Sequence, residues 1–364
     1  MKFDIQIVPY QPRFRGRVAQ VRSSVLGHSP ALNEQYLDWK YDRNPFPEAT
    51  ALYLAVSGDR VVGMRGMFGT GWEFATGEVI ALAQDADVMV APEYRGRGLY
   101  RAMDIAASAT MAERGVSHMI SMSSNAANRA AASRLGWTKV GGFQFARRRV
   151  RGWPFGPELT GRVDGALRRR LHGSFLGRGQ FHLFDERAKG RLPSGSFWSG
   201  TRVDPESFAQ VIDRSPQPRP IHPLRSPEYL SWRFDNPLAE YRFVYSGKDP
   251  VDGYLVLAKA SPWHVWIVDM EATKIDVARD LLTDAIKCSS RTALDLWTVS
   301  TSQNHSELLE ELAFRPLPPD TSPATDGMFM VRPTAVGDMS LKLNGYSLTD
   351  IANWELRMIS SDAF

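Results

Sequence analysis

Arg95-Gly96-Arg97-Gly98 is the stretch best equipped for chemistry. Its glycines let backbone amides approach an anion closely. Its arginines add positive charge at the rim. Two carboxylates, Asp85 and Asp87, stand just upstream and two residues apart. In an extended strand that spacing puts them on one face, where they can bind or deprotonate an ammonium. Tyr100, Ser123 and Ser124 are candidate proton donors, and Glu93 is expected to pair with an arginine. His28 and His118 have no partner readable from the sequence and are taken as structural. Cys288 is the one cysteine, which excludes an intrachain disulfide and a cysteine-based zinc site. No metal site is expected.

The flanking pattern says how these groups are positioned. Val88, Met89 and Val90 read as a buried strand that Pro92 ends. From Leu99 the pattern turns helical, with Leu99, Met103, Ala106 and Ala107 on one face and continuation to Met111. A strand, a glycine turn and a helix start form an anion site: the first helical amides lack partners, and the helix dipole is positive there. A diphosphate is the natural guest. Further on, Asn125 can cap a helix over 126–135, Gly136 ends it, and Trp137 opens another strand.

The run Arg95-Gly96-Arg97-Gly98-Leu99-Tyr100 resembles motif A of the GNAT superfamily of N-acetyltransferases, and 123–137 resembles motif B. The resemblance covers about residues 20–150 well. It implies that Arg95, Gly96, Arg97, Gly98, Leu99 and Tyr100 hold the pyrophosphate of coenzyme A. It implies that Val88, Met89 and Val90 pair with the pantetheine arm and polarise the thioester, and it adds Asn125 to the cofactor-binding set. The sixth motif position is Tyr100 rather than Gly or Ala, so its side chain must point away from the phosphates. The tyrosine that family members use to protonate the leaving thiolate falls at Ala132, so that acid is missing here. Asp87, Asp85 and Tyr100 remain as candidate catalytic residues.

A repeat organises the chain. Tyr36-Leu37-Asp38-Trp39-Lys40-Tyr41-Asp42 recurs as Tyr229-Leu230-Ser231-Trp232-Arg233-Phe234-Asp235, each copy followed by Asn-Pro and a strand pair. In the second copy the strand over 263–270 leads through Thr273-Lys274-Ile275 into a helix with no glycine between. Without glycine the backbone cannot close around a diphosphate, so one cofactor site is expected. Trp232, Trp263, Trp266 and Trp297 are read as core aromatics that can also line a pocket. The expected class is α/β (α+β): two tandem GNAT-like domains, each a mixed, mostly antiparallel sheet flanked by helices, the second degenerate. The boundaries read as a GNAT acyl-CoA-binding domain over 1–150, a basic linker over 151–200, the degenerate domain over 201–333 and a C-terminal tail over 334–364.

The length suits two cores, and 43% hydrophobic with 23% charged residues is an ordinary globular balance. Net charge is only +4, and the arginines are not interleaved with stacking aromatics, which argues against nucleic acid. Eight arginines between 147 and 170 make that stretch a candidate for weak contact with an anionic membrane. An amphipathic helix there can use Leu159, Val163, Leu167 and Leu171. No signal peptide and no run long enough to cross a membrane are seen, so the cytoplasm is the expected location. The expected activity is acetyl transfer from acetyl-CoA to a primary amine of a small molecule. The alternatives are a non-catalytic CoA-binding protein, or an acyltransferase with a longer acyl donor or a lipid-linked acceptor.

Overall fold

The computed structural model describes residues 4–123, 132–149, 197–216, 219–247, 250–261, 264–288, 293–298, 301–317, 327–335 and 340–361. The first half of the chain runs β1 (Ile5–Pro9), α1 (Arg15–Leu26), α2 (Pro30–Leu37), β2 (Ala51–Ser57), β3 (Arg60–Phe74), β4 (Val79–Val90), α3 (Leu99–Glu113), β5 (His118–Ser123), β6 (Thr138–Gly142) and β7 (Phe145–Arg149). The second half adds β8 (Phe197–Gly200), α4 (Pro205–Arg214), β9 (Ile221–Pro223), α5 (Pro227–Arg233), β10 (Tyr241–Ser246), β11 (Gly253–Ser261) and β12 (His264–Ala272). It ends with α6 (Ile275–Cys288), β13 (Ala293–Trp297), α7 (Gln303–Glu311), β14 (Arg315–Pro316) and β15 (Met328–Pro333).

The first sheet has the strand order β1-β2-β3-β4-β5-β15-β6. Alternation along β2 and β3, shifted once by a bulge in β3 between Val61 and Gly63, assigns its two faces. Leu52, Leu54, Val61 and Met64 join Phe14, Val18 and Ala19 beside α1. Ala55 and Val62 point the other way, onto Leu99 and Met103 of α3. Fully burying each of the larger aliphatic side chains stabilises the sheet by about 1.5–3 kcal/mol. Between β4 and β5 the pairing is parallel and short, limited to Ala83 with Met119 and Gln84 with Ile120. Past that point the two strands are no longer partners.

The second sheet, read from β8, has the order β8-β10-β11-β12-β13-β7-β14. Position by position this repeats the first. Its parallel pair is β12 with β13, matched at His264 with Ala293, Val265 with Leu294 and Trp266 with Asp295. The repeated helices match in detail. The Tyr36 and Trp39 rings lie 5.6 Å apart at 47°, and Tyr229 and Trp232 lie 5.6 Å apart at 46°. Asn44 accepts a hydrogen bond from the Phe46 amide and Asn236 accepts one from the Leu238 amide. In the first copy α2 continues as a π-helical turn over Asp38–Asp42.

The sequence boundaries do not coincide with the compact units. One unit comprises Met1–Gly141, Asn236–Leu238 and Gly327–Asn353, and the other comprises Gly142–Asp235, Ala239–Asp326 and Trp354–Phe364. The cause is strand pairing. β7 lies before residue 150, yet pairs with β13 from Ala293 with Arg149 to Trp297 with Phe145. β15 lies near the C-terminus, yet pairs with β5 from Met328 with Ser123 to Pro333 with His118. Each sheet takes one inner strand from the other half of the sequence. β8, placed in the linker by composition, is a strand of the second sheet on β10. Residues of the expected tail are core: Leu348, Trp354, Leu356 and Ile359 are all buried.

A chain ending at residue 150 lacks β15 and leaves β5 without its partner. Such an exposed edge is prone to aggregation. We expect the 1–150 fragment to be insoluble or to lack a cooperative unfolding transition, checked by size-exclusion chromatography and urea unfolding. Adding residues 327–353 back should restore a folded first unit. A soluble, cooperatively unfolding 1–150 fragment would refute this.

Candidate functional site

The site is built on β4. Along β3 and β4, Gly63 faces Val90, Met64 faces Met89 and Gly66 faces Ala86. Two steps on β3 oppose three on β4, so β4 carries a bulge at Asp87 and Val88. Asp87 has a positive φ of 47°. A bulge takes one residue out of the ladder and re-aims its neighbours. Met89 is buried beside α1, whereas Val90 packs with Leu99 and Met103 on the α3 side. The sheet therefore holds Val88, Met89 and Val90 firmly from both faces.

The chain leaves β4 through a single turn of 3-10 helix, Pro92–Tyr94, and reaches α3 across the four residues 95–98. Gly96 and Gly98 have φ of 74° and 75°. That left-handed region favours glycine, and consecutive turn amides in such conformations form a concave anion site. Gly98 is the N-cap of α3 and supplies no side-chain cap, so the first amides of the helix stay open to a ligand. A Cβ on either glycine would meet no atom within 4 Å, so space remains over the backbone. Tyr94 and Leu99, both buried, pin the two ends of the turn. Arg95 and Arg97 are exposed at its rim, bonded to the carbonyls of Val90 and Glu93 at 3.1 Å each. The residues present fit a diphosphate. Glu93 pairs with Arg60 at 3.2 Å.

Asp85 and Asp87 do not share a face. The bulge between them turns Asp87 toward α1 while Asp85 faces α3. Asp87 is 8% exposed in its side chain and touches Arg22 at 2.5 Å, Lys40 at 2.9 Å and the Tyr41 hydroxyl at 2.6 Å. Burial alone would raise its pKa, but Arg22, Lys40 and the donated hydrogen bonds hold it well below the usual carboxylate range. Asp85 pairs with Arg65 and accepts a hydrogen bond from Ser121 at 3.1 Å. Arg65 also reaches Asp104 on α3 at 2.9 Å, and Arg332 of β15 reaches the same Asp104 at 2.9 Å. These charges clamp α3 to the sheet directly beneath the turn. Both carboxylates are paired and anchor the site, and the lowered pKa of Asp87 makes it a weak base toward an ammonium.

Tyr100 points inward. Arg65 lies 5.5 Å from its ring centroid, and its hydroxyl has no hydrogen-bond partner among the described residues. Burial pushes the phenol up to about 12. Ala132, where the family's acid would stand, is a core residue. Asn125 and Ser124 lie outside the described residues, as do Trp263 and the basic stretch from 150 to 170. Gly136 has φ of 83° just after the helical residues, as a helix-ending glycine should. Arg147 is held by Asp295 at 2.6 and 2.7 Å within the second sheet, so its charge is matched there. His118 is buried, with Nε2 2.9 Å from the Ser340 carbonyl.

Sequence reasoning passed over Arg22, Lys40, Tyr41, Arg65 and Asp104. A signal was present: Arg22 follows Val18 and Ala19 on the apolar side of α1, and Arg65 interrupts the apolar run of β3. A cation on a buried face must have a carboxylate opposite it.

In the second unit, β12 also bulges, because Val256 faces Asp269 while Leu257 faces Ile267. Only Thr273 and Lys274 separate β12 from α6. No glycine turn exists there. A cavity of about 390 Å³ opens beside this strand, lined among others by Asp269, Met270, Trp297, His305 and Glu355. Of the four tryptophans singled out from the sequence, Trp297 lines it; Trp232 is core.

Residues 11–140 match the model of an acetyltransferase (GNAT) domain family. No curated protein matches the chain. Among solved structures, a probable N-acyltransferase from Enterococcus faecalis V583 is 13% identical with a TM-score of 0.59, over 91% of this chain and 72% of that one. A GCN5-related N-acetyltransferase from Anabaena variabilis ATCC 29413 is 13% identical with a TM-score of 0.57, over 91% and 73%. A tandem GNAT protein from the clavulanic acid biosynthesis pathway is 12% identical with a TM-score of 0.53, over 92% of this chain and all of that one. At such identities the likeness is one of fold. No helix among the described residues is long and apolar enough to cross a membrane.

Proposed function

We propose, from the match of residues 11–140 to an acetyltransferase (GNAT) domain family, that the chain is an acyl-CoA-dependent N-acyltransferase moving acetyl from acetyl-CoA to the primary amine of a small molecule of amino-sugar or amino-acid type. The observation that carries this reading is the pair of left-handed glycines before an uncapped helix start, joined to a bulged strand. In this reading, residues 95–100 hold the pyrophosphate. Val88, Met89 and Val90 present backbone to the pantetheine arm, with Asn125 completing the set. The cosubstrate supplies an activated acyl thioester. The chain supplies position and a fixed backbone dipole at the bulge, where charge develops on the carbonyl oxygen.

The proton inventory favours positioning over strong acid–base work. The Tyr100 phenol, at about 12, lies well above the roughly 8.5 of a thiol, so full proton transfer to a thiolate runs uphill by about 5 kcal/mol. Tyr100→Phe is expected to keep kcat within about fivefold of the parent, with an unfolding midpoint unchanged or raised because a buried unpaired hydroxyl is removed. Steady-state kinetics with thermal unfolding checks this. A hundredfold loss of kcat would make Tyr100 the general acid.

The direct test is incubation with acetyl-CoA and a panel of amino sugars and amino acids, following thiol release. Turnover on at least one amine is expected. The absence of a matched acid at both Ala132 and Tyr100 favours one competing reading, a non-catalytic CoA-binding protein. Tight CoA binding with no thiol release across the panel would select it.

A further inference from the structure

The cavity of the second unit lies where β12 and β13 stop pairing, since Trp266 with Asp295 is the last matched pair and the lining begins at Ile267 and Leu296. Its volume, about 390 Å³, falls in the range of small-molecule pockets. Its apolar lining includes Met270, Leu282, Leu296 and Leu309. Its polar lining includes Asp269, Glu271, Glu355 and Arg357, which belong to a buried charge cluster. Asp269 is bonded to the Tyr254 hydroxyl at 2.7 Å and to Arg357 at 3.1 Å. Glu271 is bonded to Arg225 at 2.9 Å and to Arg357 at 2.8 Å. Both carboxylates are thus satisfied.

Glu355 is not. Its side chain is 2% exposed, and its Oε1 is taken by Arg357, with Arg225 at 3.9 Å. Its Oε2 is buried and has no hydrogen-bond partner among the described residues. Burial works to raise its pKa, but Arg357 and Arg225 hold the carboxyl below the usual range, so it is ionised. Three carboxylates therefore face two guanidiniums, with one carboxylate oxygen left without a donor. A buried oxygen in that state lacks a partner that a ligand can provide.

Elsewhere the lining has the opposite preference. The starts of α6 and α7 border the cavity through Ile275 and His305, with Thr273 and Ser302 just before the helices, and Lys274 stands exposed among them. Helix starts and an ammonium favour a negative group. Burial pushes His305 down, so it is neutral and adds no charge.

We propose that this cavity binds a small zwitterion, an α-amino acid with an apolar side chain. Its ammonium donates to Glu355 Oε2. Its carboxylate lies toward Lys274 and the helix starts, and its side chain rests on Met270 and Leu309. This site is independent of the acyl-transfer reading, because it lies wholly in the second unit and needs no acyl-CoA.

Isothermal titration calorimetry on the full chain, without acyl-CoA, tests it with three probes of one shape: L-phenylalanine, phenethylamine and hydrocinnamate. Phenylalanine is expected to bind about tenfold or more tighter than either probe lacking one charge. Glu355→Gln should weaken phenylalanine and phenethylamine by about tenfold and leave hydrocinnamate unchanged, the weight of one charge-assisted hydrogen bond. Should that variant fail to fold, Lys274→Glu at the exposed rim should weaken phenylalanine and spare phenethylamine. Gly98→Val in the first unit should change none of these values. Failure of all three probes to bind, tightest binding by hydrocinnamate, or a folded Glu355→Gln protein that binds phenylalanine as the parent does would overturn the assignment.

Discussion

Replacing Gly98 by valine is expected to raise the Kd for acetyl-CoA by about a hundredfold while leaving the fold intact. Gly98 sits at φ 75° and ψ 9° as the N-cap of α3. An L-residue pays roughly 1–2 kcal/mol there, and a β-branched one more. No atom lies within 4 Å of the added Cβ, so the variant relieves its strain by rotating the turn rather than by disrupting the core. That rotation re-aims the amides meant for the diphosphate. Losing one or two hydrogen bonds to a charged group costs about 1.5–3 kcal/mol each, and about 2.8 kcal/mol corresponds to a hundredfold. Gly115 offers the control. It has φ 79°, equally open space and a place beyond the far end of α3. Gly115→Val should pay a similar backbone strain and bind acetyl-CoA as the parent does. Calorimetric titration of both variants distinguishes the two. Equal losses of affinity would mean that the turn has no special relation to the ligand.

Asp87→Ala is expected to lower the unfolding free energy by about 3–5 kcal/mol, the cost of stranding buried charge. Arg22 and Lys40 are 3% and 0% exposed in their side chains and both rely on Asp87. Removing the carboxylate leaves two cations in the core beside Tyr36 and Tyr41. Asp87→Asn should be milder, because the amide oxygen still accepts one hydrogen bond. The pH dependence follows from the lowered pKa of Asp87 in the folded state. In the window below the unfolded value of about 3.9 the unfolded chain binds the proton first, so stability rises with pH there. The contribution of Asp87 is fully present above that window and is lost as pH falls toward the folded value. The gap between parent and variant should therefore stay constant from neutral pH to about pH 5 and narrow below about pH 4. Urea unfolding at several pH values checks this. A constant gap down to pH 3 would contradict it.

The site's local parts were legible because they depend on neighbours in sequence. Gly96 and Gly98 between an apolar strand and an alanine-rich helix predict the turn that is observed. The Tyr-Leu-x-Trp repeat predicts two related units, and the ring geometry of Tyr36 with Trp39 is repeated by Tyr229 with Trp232. The connection from β12 to α6 has no glycine turn, as Thr273-Lys274 implied.

What was not legible depends on pairing. A strand's alternation states which residues face a core, not which strand lies beside it. β7 and β15 read correctly as strands only once their partners are known, so boundaries drawn at 150 and 333 divide each sheet wrongly. The bulge at Asp87 and Val88 is equally silent in the sequence. Period-two counting puts Asp85 and Asp87 on one face, and a single extra residue in β4 separates them. That residue changes their chemistry: each meets its own set of cations instead of a shared acceptor.

In the proposed function the backbone near residues 95–101 grips the diphosphate of the acyl donor. Hydrogen–deuterium exchange with and without coenzyme A tests it most directly. Strong protection of peptides covering 95–103, weaker protection along 86–91 and none over 272–280 in the second unit are expected. Unchanged exchange at 95–103, or equal protection at 272–280, would contradict it.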